Sequence, residues 1–154
     1  MSRVGIALGS NLGDRHAHIQ RAFLFLRAIS EGGHCLPSSI HETEPVDCPP
    51  GSEMFLNAVV EIEYTDTPEN LFKRLRDFEF AQGRSPMSEV HAPRPIDLDI
   101  LYFGDMRIND PDLIIPHPRI TERAFVLSPL AEIRPDLRLA GCAKTVKELL
   151  DALG

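Results

Sequence analysis

The chain has 154 residues, of which 43% are hydrophobic, and a formal net charge of −7. That is room for one domain, residues 1–154, with a substantial core, and too acidic a balance for a general nucleic-acid binder. No apolar run is long enough to span a membrane, Met1-Ser2-Arg3 leads straight into a short apolar segment with no signal-peptide pattern, and three cysteines without C-x-x-C spacing favour reduced thiols and a cytoplasmic setting.

Val4 to Leu8 reads as a buried first strand, followed by the permissive turn Gly9-Ser10-Asn11-Leu12-Gly13. Ile19, Ala22, Phe23, Leu26 and Ile29 then recur at helical spacing, with Asp14 as the cap and Gly32-Gly33 as the stop. A glycine-rich strand-to-helix turn can bind phosphate, but this one has neither a G-x-G-x-x-G nor a Walker lysine, so the pattern alone reads as structural. Residues 35–43 are weakly strand-like, and 44–52 form a proline-rich loop.

Phe55 to Tyr64 is the clearest strand. Leu56, Ala58, Val60, Ile62 and Tyr64 make one face, and Phe55, Asn57, Val59, Glu61 and Glu63 make the other. Phe55 and Asn57 thus share a face, where an aromatic ring and an amide can stack on and bond to a flat heterocycle. The plainer alternative is a core Phe55 with Asn57 capping a backbone group. Thr67 and Pro68 start a second helix carrying Leu71, Phe72, Leu75, Phe78 and Glu79, which ends near Gln82-Gly83. A second long loop, 84–93, follows and suits a lid that carries Arg84.

His91-Ala92-Pro93-Arg94-Pro95-Ile96-Asp97-Leu98-Asp99-Ile100-Leu101 is the stretch richest in chemistry. On a strand, Asp97 and Asp99 point to one side, while Ile96, Leu98 and Ile100 point to the other, an apolar alternation that continues through Tyr102. Two carboxylates this close repel unless a cation sits beside them. Mg²⁺ takes such pairs together with substrate phosphates, and the fork of Arg94 suits a phosphate oxygen. An exposed polar strand face is the alternative. Beyond Phe103, Gly104-Asp105 suggests a hairpin turn into residues 106–108. Pro116-His117-Pro118 closes an extended apolar piece, a helix is expected over 125–133, and Thr145 with Glu148 forms a capping box for a final helix. The order strand, helix, strand, strand, helix, strand is the split βαβ arrangement. It predicts an α+β fold with a ferredoxin-like antiparallel sheet, helices on one face, C-terminal additions, and the ligand on the open face.

Gly9-Ser10-Asn11, Phe55-Leu56-Asn57-Ala58, Glu79 with Gln82-Gly83-Arg84, Pro93-Arg94-x-x-Asp97-Leu98-Asp99-Ile100, Pro116-His117 and Arg123-x-Phe125 run in one order over nearly the whole chain. In this the sequence resembles the 6-hydroxymethyl-7,8-dihydropterin pyrophosphokinases of folate biosynthesis. The resemblance implies transfer of the diphosphate of ATP to the pterin hydroxymethyl group, with release of AMP. It implies two Mg²⁺ ions, arriving with ATP and held by Asp97 and Asp99. It makes Arg84, Arg94, Asp97 and Asp99 catalytic and assigns Glu79, Arg84, Arg94, His117 and Arg123 to ATP. Gly9, Thr43, Val46, Phe55, Asn57 and Phe125 would line the pterin pocket. The enzyme is expected to work as a monomer. One position departs: the family's loop tryptophan is replaced by His91, with Ala92 where glycine is usual. Imidazole buries less apolar surface, so His91→Trp is expected to tighten pterin binding in a direct affinity comparison. Two other classes compete, a non-catalytic ligand-binding module and an Mg²⁺-dependent phosphodiesterase. The first leaves the two acids and two arginines unexplained, and the second leaves the aromatic–amide face unexplained.

Overall fold

The computed structural model describes residues 2–11, 13–43, 54–83 and 95–154. Both long loops fall outside the described residues, and with them Val46, Arg84, His91 and Arg94.

The chain is α+β, an antiparallel sheet with four helices among the described residues. Strand β1 (Ser2–Ser10) is flanked by β4 (Phe55–Tyr64) and β5 (Asp97–Phe103), and runs antiparallel to both. The weak segment at 35–43 is two short strands, β2 (Cys35–Pro37) and β3 (His41–Thr43), both paired with the outer edge of β4. Pro37 cannot donate to the ladder, which helps to explain the break. Ser38 bridges it, donating its N–H to Val59 O at 2.8 Å and accepting the Val59 N–H on Oγ at 2.9 Å.

Helix α1 (Arg15–Ile29) starts where Asp14 Oδ1 accepts the Ala17 N–H at 3.1 Å. Helix α2 (Pro68–Ala81) starts at Thr67, whose hydroxyl accepts the Asn70 N–H at 3.2 Å. Both pack on one face of the sheet. Ile19, Ala22 and Leu26 of α1 and Leu71 and Leu75 of α2 bury against Ile6, Leu8, Leu56, Val60, Ile62, Leu98 and Ile100. Each of the Ile, Leu and Val side chains among them contributes roughly 1.5–3 kcal/mol. Phe25 and Phe78 stack between the two helices, with centroids 4.3 Å apart.

The other face is not left open. Helix α3 (Ala124–Ile133) and helix α4 (Val146–Ala152) cover much of it, burying Val126, Leu127, Leu130 and Val146 against Val59, Leu101 and Tyr102. The expected capping box is present, with both Thr145–Glu148 bonds made at 3.0 and 3.1 Å. The expected hairpin pairs differently: β6 (Ile108–Asp110) joins β7 (Leu113–Ile115) in a separate ribbon.

A bulge explains a second departure. Gly5 pairs with Tyr102 and Ile6 with Ile100, so Leu101 is an extra residue. Leu101 and Tyr102 therefore both pack with the α3 side, and the alternation read through Tyr102 stops at Ile100. The Tyr102 ring crosses Gly5, where an added Cβ would lie 2.2 Å from ring carbon Cε1. Its hydroxyl donates to Glu61 Oε2 at 2.5 Å, and burial together with this carboxylate raises the phenol pKa. Glu61 is itself fully buried and also takes Arg134 at 2.5 Å and His34 at 3.0 Å. Gly5→Ala is expected to cost about 2–3 kcal/mol and to lower the thermal midpoint by roughly 5–10 °C in calorimetry.

Candidate active site

One row of the sheet register sets out the site. Asp97 of β5 pairs with Gly9 of β1, Gly9 pairs with Asn57 of β4, and Asn57 pairs with His41 of β3. Gly9 carries no side chain between the carboxylate and the amide, so the floor between them stays low. Above this row is a cavity of about 440 Å³, lined by Gly9, Thr43, Phe55, Asn57, Asp97, Asp99, His117, Arg123 and Phe125 among others. Nine of the expected site residues thus meet in one space, drawn from both ends of the chain. Helix α3 closes it: Arg123 and Phe125 stand at its start, with the guanidinium 5.6 Å from the ring centroid. Asn57 Nδ2 donates to Thr43 Oγ1 at 2.5 Å, which fixes the amide and orients its oxygen as an acceptor.

His117 is held by its backbone, whose N–H donates to Leu101 O at 2.9 Å. Its Nδ1 accepts the Arg119 N–H at 3.2 Å. The proton of the neutral ring therefore sits on Nε2, a tautomer assigned from that bond. Burial first, and then the charge of Arg123, lower the imidazole pKa. Such a ring is a neutral N–H donor.

The acidic pair is tense. Burial and then the charge of Asp97 push Asp99 up to about 7. Arg76 of α2 opposes this, with Nη2 3.7 Å from Asp99 Oδ1. Among the described residues no group of three or more His, Cys, Asp or Glu is placed to hold a metal ion. Among the described residues the pair is therefore not a complete protein cage. Two carboxylates whose repulsion a cation would relieve do suit Mg²⁺, which keeps waters and shares its coordination with phosphates.

Glu79 lies behind the strand rather than beside the cavity. It is fully buried, pairs with Arg76, and accepts the Leu98 N–H at 2.6 Å, at the residue between the two acids. Burial raises its pKa against the pull of Arg76. Arg76 and a second cavity of about 210 Å³, walled by Phe72, Leu75, Ile100, Leu113 and Ile114, are features the sequence did not announce. The two cavities share Asp99 and His117. An Arg three residues before a Glu on α2 was the available signal, but it reads equally as a solvated helix pair.

Comparison with known proteins agrees with this geometry. The family model for 7,8-dihydro-6-hydroxymethylpterin-pyrophosphokinase matches residues 5–135. The chain belongs to that family. A pyrophosphokinase of Methylorubrum extorquens, named for 2-amino-4-hydroxy-6-hydroxymethyldihydropteridine, is 38% identical over 153 residues, covering 99% of this chain and 94% of the relative. The Bacillus subtilis protein of that name is 43% identical over 129 residues, covering 83% and 75%. The mitochondrial folate synthesis bifunctional protein of Arabidopsis thaliana is 42% identical over 132 residues, which is 84% of this chain and only 23% of that protein. A solved Plasmodium falciparum HPPK-DHPS superposes with a TM-score of 0.76 at 15% identity, covering 98% of this chain and 44% of that one. This family fold thus stands alone in some relatives and forms part of a longer chain in others. No described helix is long and apolar enough to cross a membrane.

Proposed function

We propose that this chain transfers the β,γ-diphosphate of ATP to the hydroxymethyl oxygen of 6-hydroxymethyl-7,8-dihydropterin, releasing AMP, as a step of folate biosynthesis. The observation that carries the reading is the single cavity that joins an aromatic–amide end to a carboxylate pair. Family membership supports it independently.

In this reading Phe55 and Phe125 sandwich the pterin ring, and Thr43 and Asn57 meet its polar edge over the open floor at Gly9. The hydroxymethyl group then points toward Asp97 and Asp99. Its oxygen bonds to the β-phosphorus, the bond from that phosphorus to the α-phosphate oxygen breaks, AMP leaves with the electron pair, and the hydroxyl proton passes to water. Asp97 and Asp99 would hold two Mg²⁺ ions, which neutralise phosphate charge and steady the attacking oxygen when bound. His117 offers its Nε2–H and Arg123 its charge to phosphate oxygens, and Arg84 and Arg94 are proposed for the same task. Glu79 serves by fixing the strand between the acids. The second cavity, walled by both apolar and charged residues and adjoining Asp99 and His117, is where the nucleotide base fits. Catalysis on this account is positioning and charge stabilisation, extended from γ-phosphoryl transfer to attack at the β-phosphorus.

We also propose a ferredoxin-like single domain over residues 1–154, supported by the strand order β2-β4-β1-β5. A monomeric, cytoplasmic enzyme is part of the same proposal, and the free thiols Cys35 and Cys142 fit the cytoplasmic setting. NMR shift mapping tests the placement of the two substrates. Pterin should perturb Thr43, Phe55, Asn57 and Phe125, and an ATP analogue should perturb Phe72, Ile100 and Leu113. Both ligands perturbing one set alone would contradict it.

A further inference from the structure

We infer that Arg76 is a resident counter-cation that weakens binding of a free divalent metal at the Asp97–Asp99 pair and favours one that arrives together with a polyphosphate. The inference rests on the metal assignment above and names a positioning residue within it. Arg76 pairs through Nη1 with buried Glu79 and reaches Asp99 Oδ1 at 3.7 Å with Nη2. The guanidinium lies 4.7 Å from the Phe72 ring centroid, and its side chain is only 28% exposed. Three contacts thus hold one positive charge beside the carboxylate that a metal must use. It lines the second cavity with Asp99, on the side where the nucleotide is proposed to enter.

The consequence is electrostatic. Before nucleotide arrives, Arg76 already neutralises part of the field of the two acids, so an incoming dication meets a fixed like charge a few ångströms away. Once phosphates are present, the same guanidinium attracts them, and its repulsion of the metal is offset. Metal and nucleotide therefore favour each other's binding, and the coupling is reciprocal. This differs from merely bracing Glu79, because bracing predicts that losing Arg76 weakens every ligand.

The test measures Mn²⁺ affinity by electron paramagnetic resonance at low ionic strength, with and without α,β-methylene-ATP, whose bridging carbon blocks transfer. Arg76→Gln is expected to bind free Mn²⁺ about fivefold to tenfold more tightly than the wild type, on the scale of one unit charge removed a few ångströms away in bulk water. With the analogue present the gain should shrink to about twofold or less. Arg76→Lys retains the charge and should stay near the wild type. Since removing one partner of a buried pair destabilises, Arg76→Gln with Glu79→Gln serves where the single variant does not fold, and it should still tighten, by less, because the negative charge of Glu79 is lost as well. Adding Asp99→Asn should abolish the gain. Equal or weaker free Mn²⁺ binding in the glutamine variants, or tightening in Arg76→Lys as well, overturns the inference. Failure of the functional reading is read separately, as absence of AMP formation by the wild-type protein.

Discussion

Asp97→Ala and Asp99→Ala should each lower kcat by about 10³-fold or more, a loss of about 4 kcal/mol of transition-state stabilisation. Both side chains open onto the main cavity, and Asp99 also borders the second. The fold should survive, because the pair is a source of strain in the metal-free protein. The sign can be worked out for Asp99. Its folded pKa is raised from the ordinary 3.8 to about 7. A carboxyl raised in this way favours the fold only while protonated, so stability in EDTA should fall as pH rises from about 4 through about 7. Asp99→Asn should flatten that fall. Asp97→Asn should reduce it, since burial, the larger cause, remains. Thermal unfolding in EDTA across this range checks the stability claim, and steady-state kinetics at saturating Mg²⁺ and ATP checks the catalytic one. A variant with near-normal turnover would refute the metal assignment.

Phe125→Ala should weaken pterin binding roughly 10- to 100-fold, a loss of about 1.5–3 kcal/mol of stacking and apolar burial. Phe125 stands at the start of α3 and lines the cavity together with Phe55, with the Arg123 guanidinium 5.6 Å from its ring centroid. ATP binding should change by much less, because the second cavity does not include Phe125. Isothermal calorimetry with each substrate separates the two effects. Equal weakening of both would mean that α3 had shifted as a whole, and the sandwich assignment would fail. Phe55→Ala should behave alike, with the added cost of a strand residue.

These expectations reach back to the sequence unevenly. Asp97, Asp99, Phe55 and Asn57 were legible because strand alternation is a local rule and puts each on a stated face. The caps at Asp14, Thr67 and Thr145 were legible for the same reason, since each is satisfied within one turn. Tyr102 was assigned to the wrong face, because the bulge at Leu101 depends on room over Gly5, which is distant in sequence. The open face was misjudged because α3 and α4 dock on Val59, Leu101 and Tyr102, and Val59 was read on a mostly polar face. Glu61 looked like an outward strand acid, yet it is buried by Tyr102, Arg134 and His34, partners from three separate segments. Arg76 carried no motif, and its meeting with Asp99 requires α2 to be laid on β5. What stayed hidden was contact between elements, which no periodicity reports.

The central claim is tested most directly by mixing the protein with ATP, Mg²⁺ and 6-hydroxymethyl-7,8-dihydropterin and separating the nucleotides by chromatography, with pterin-free and EDTA controls. The account predicts AMP in step with a diphosphorylated pterin, and none in either control. ADP in place of AMP, or no turnover by a folded sample, would contradict it.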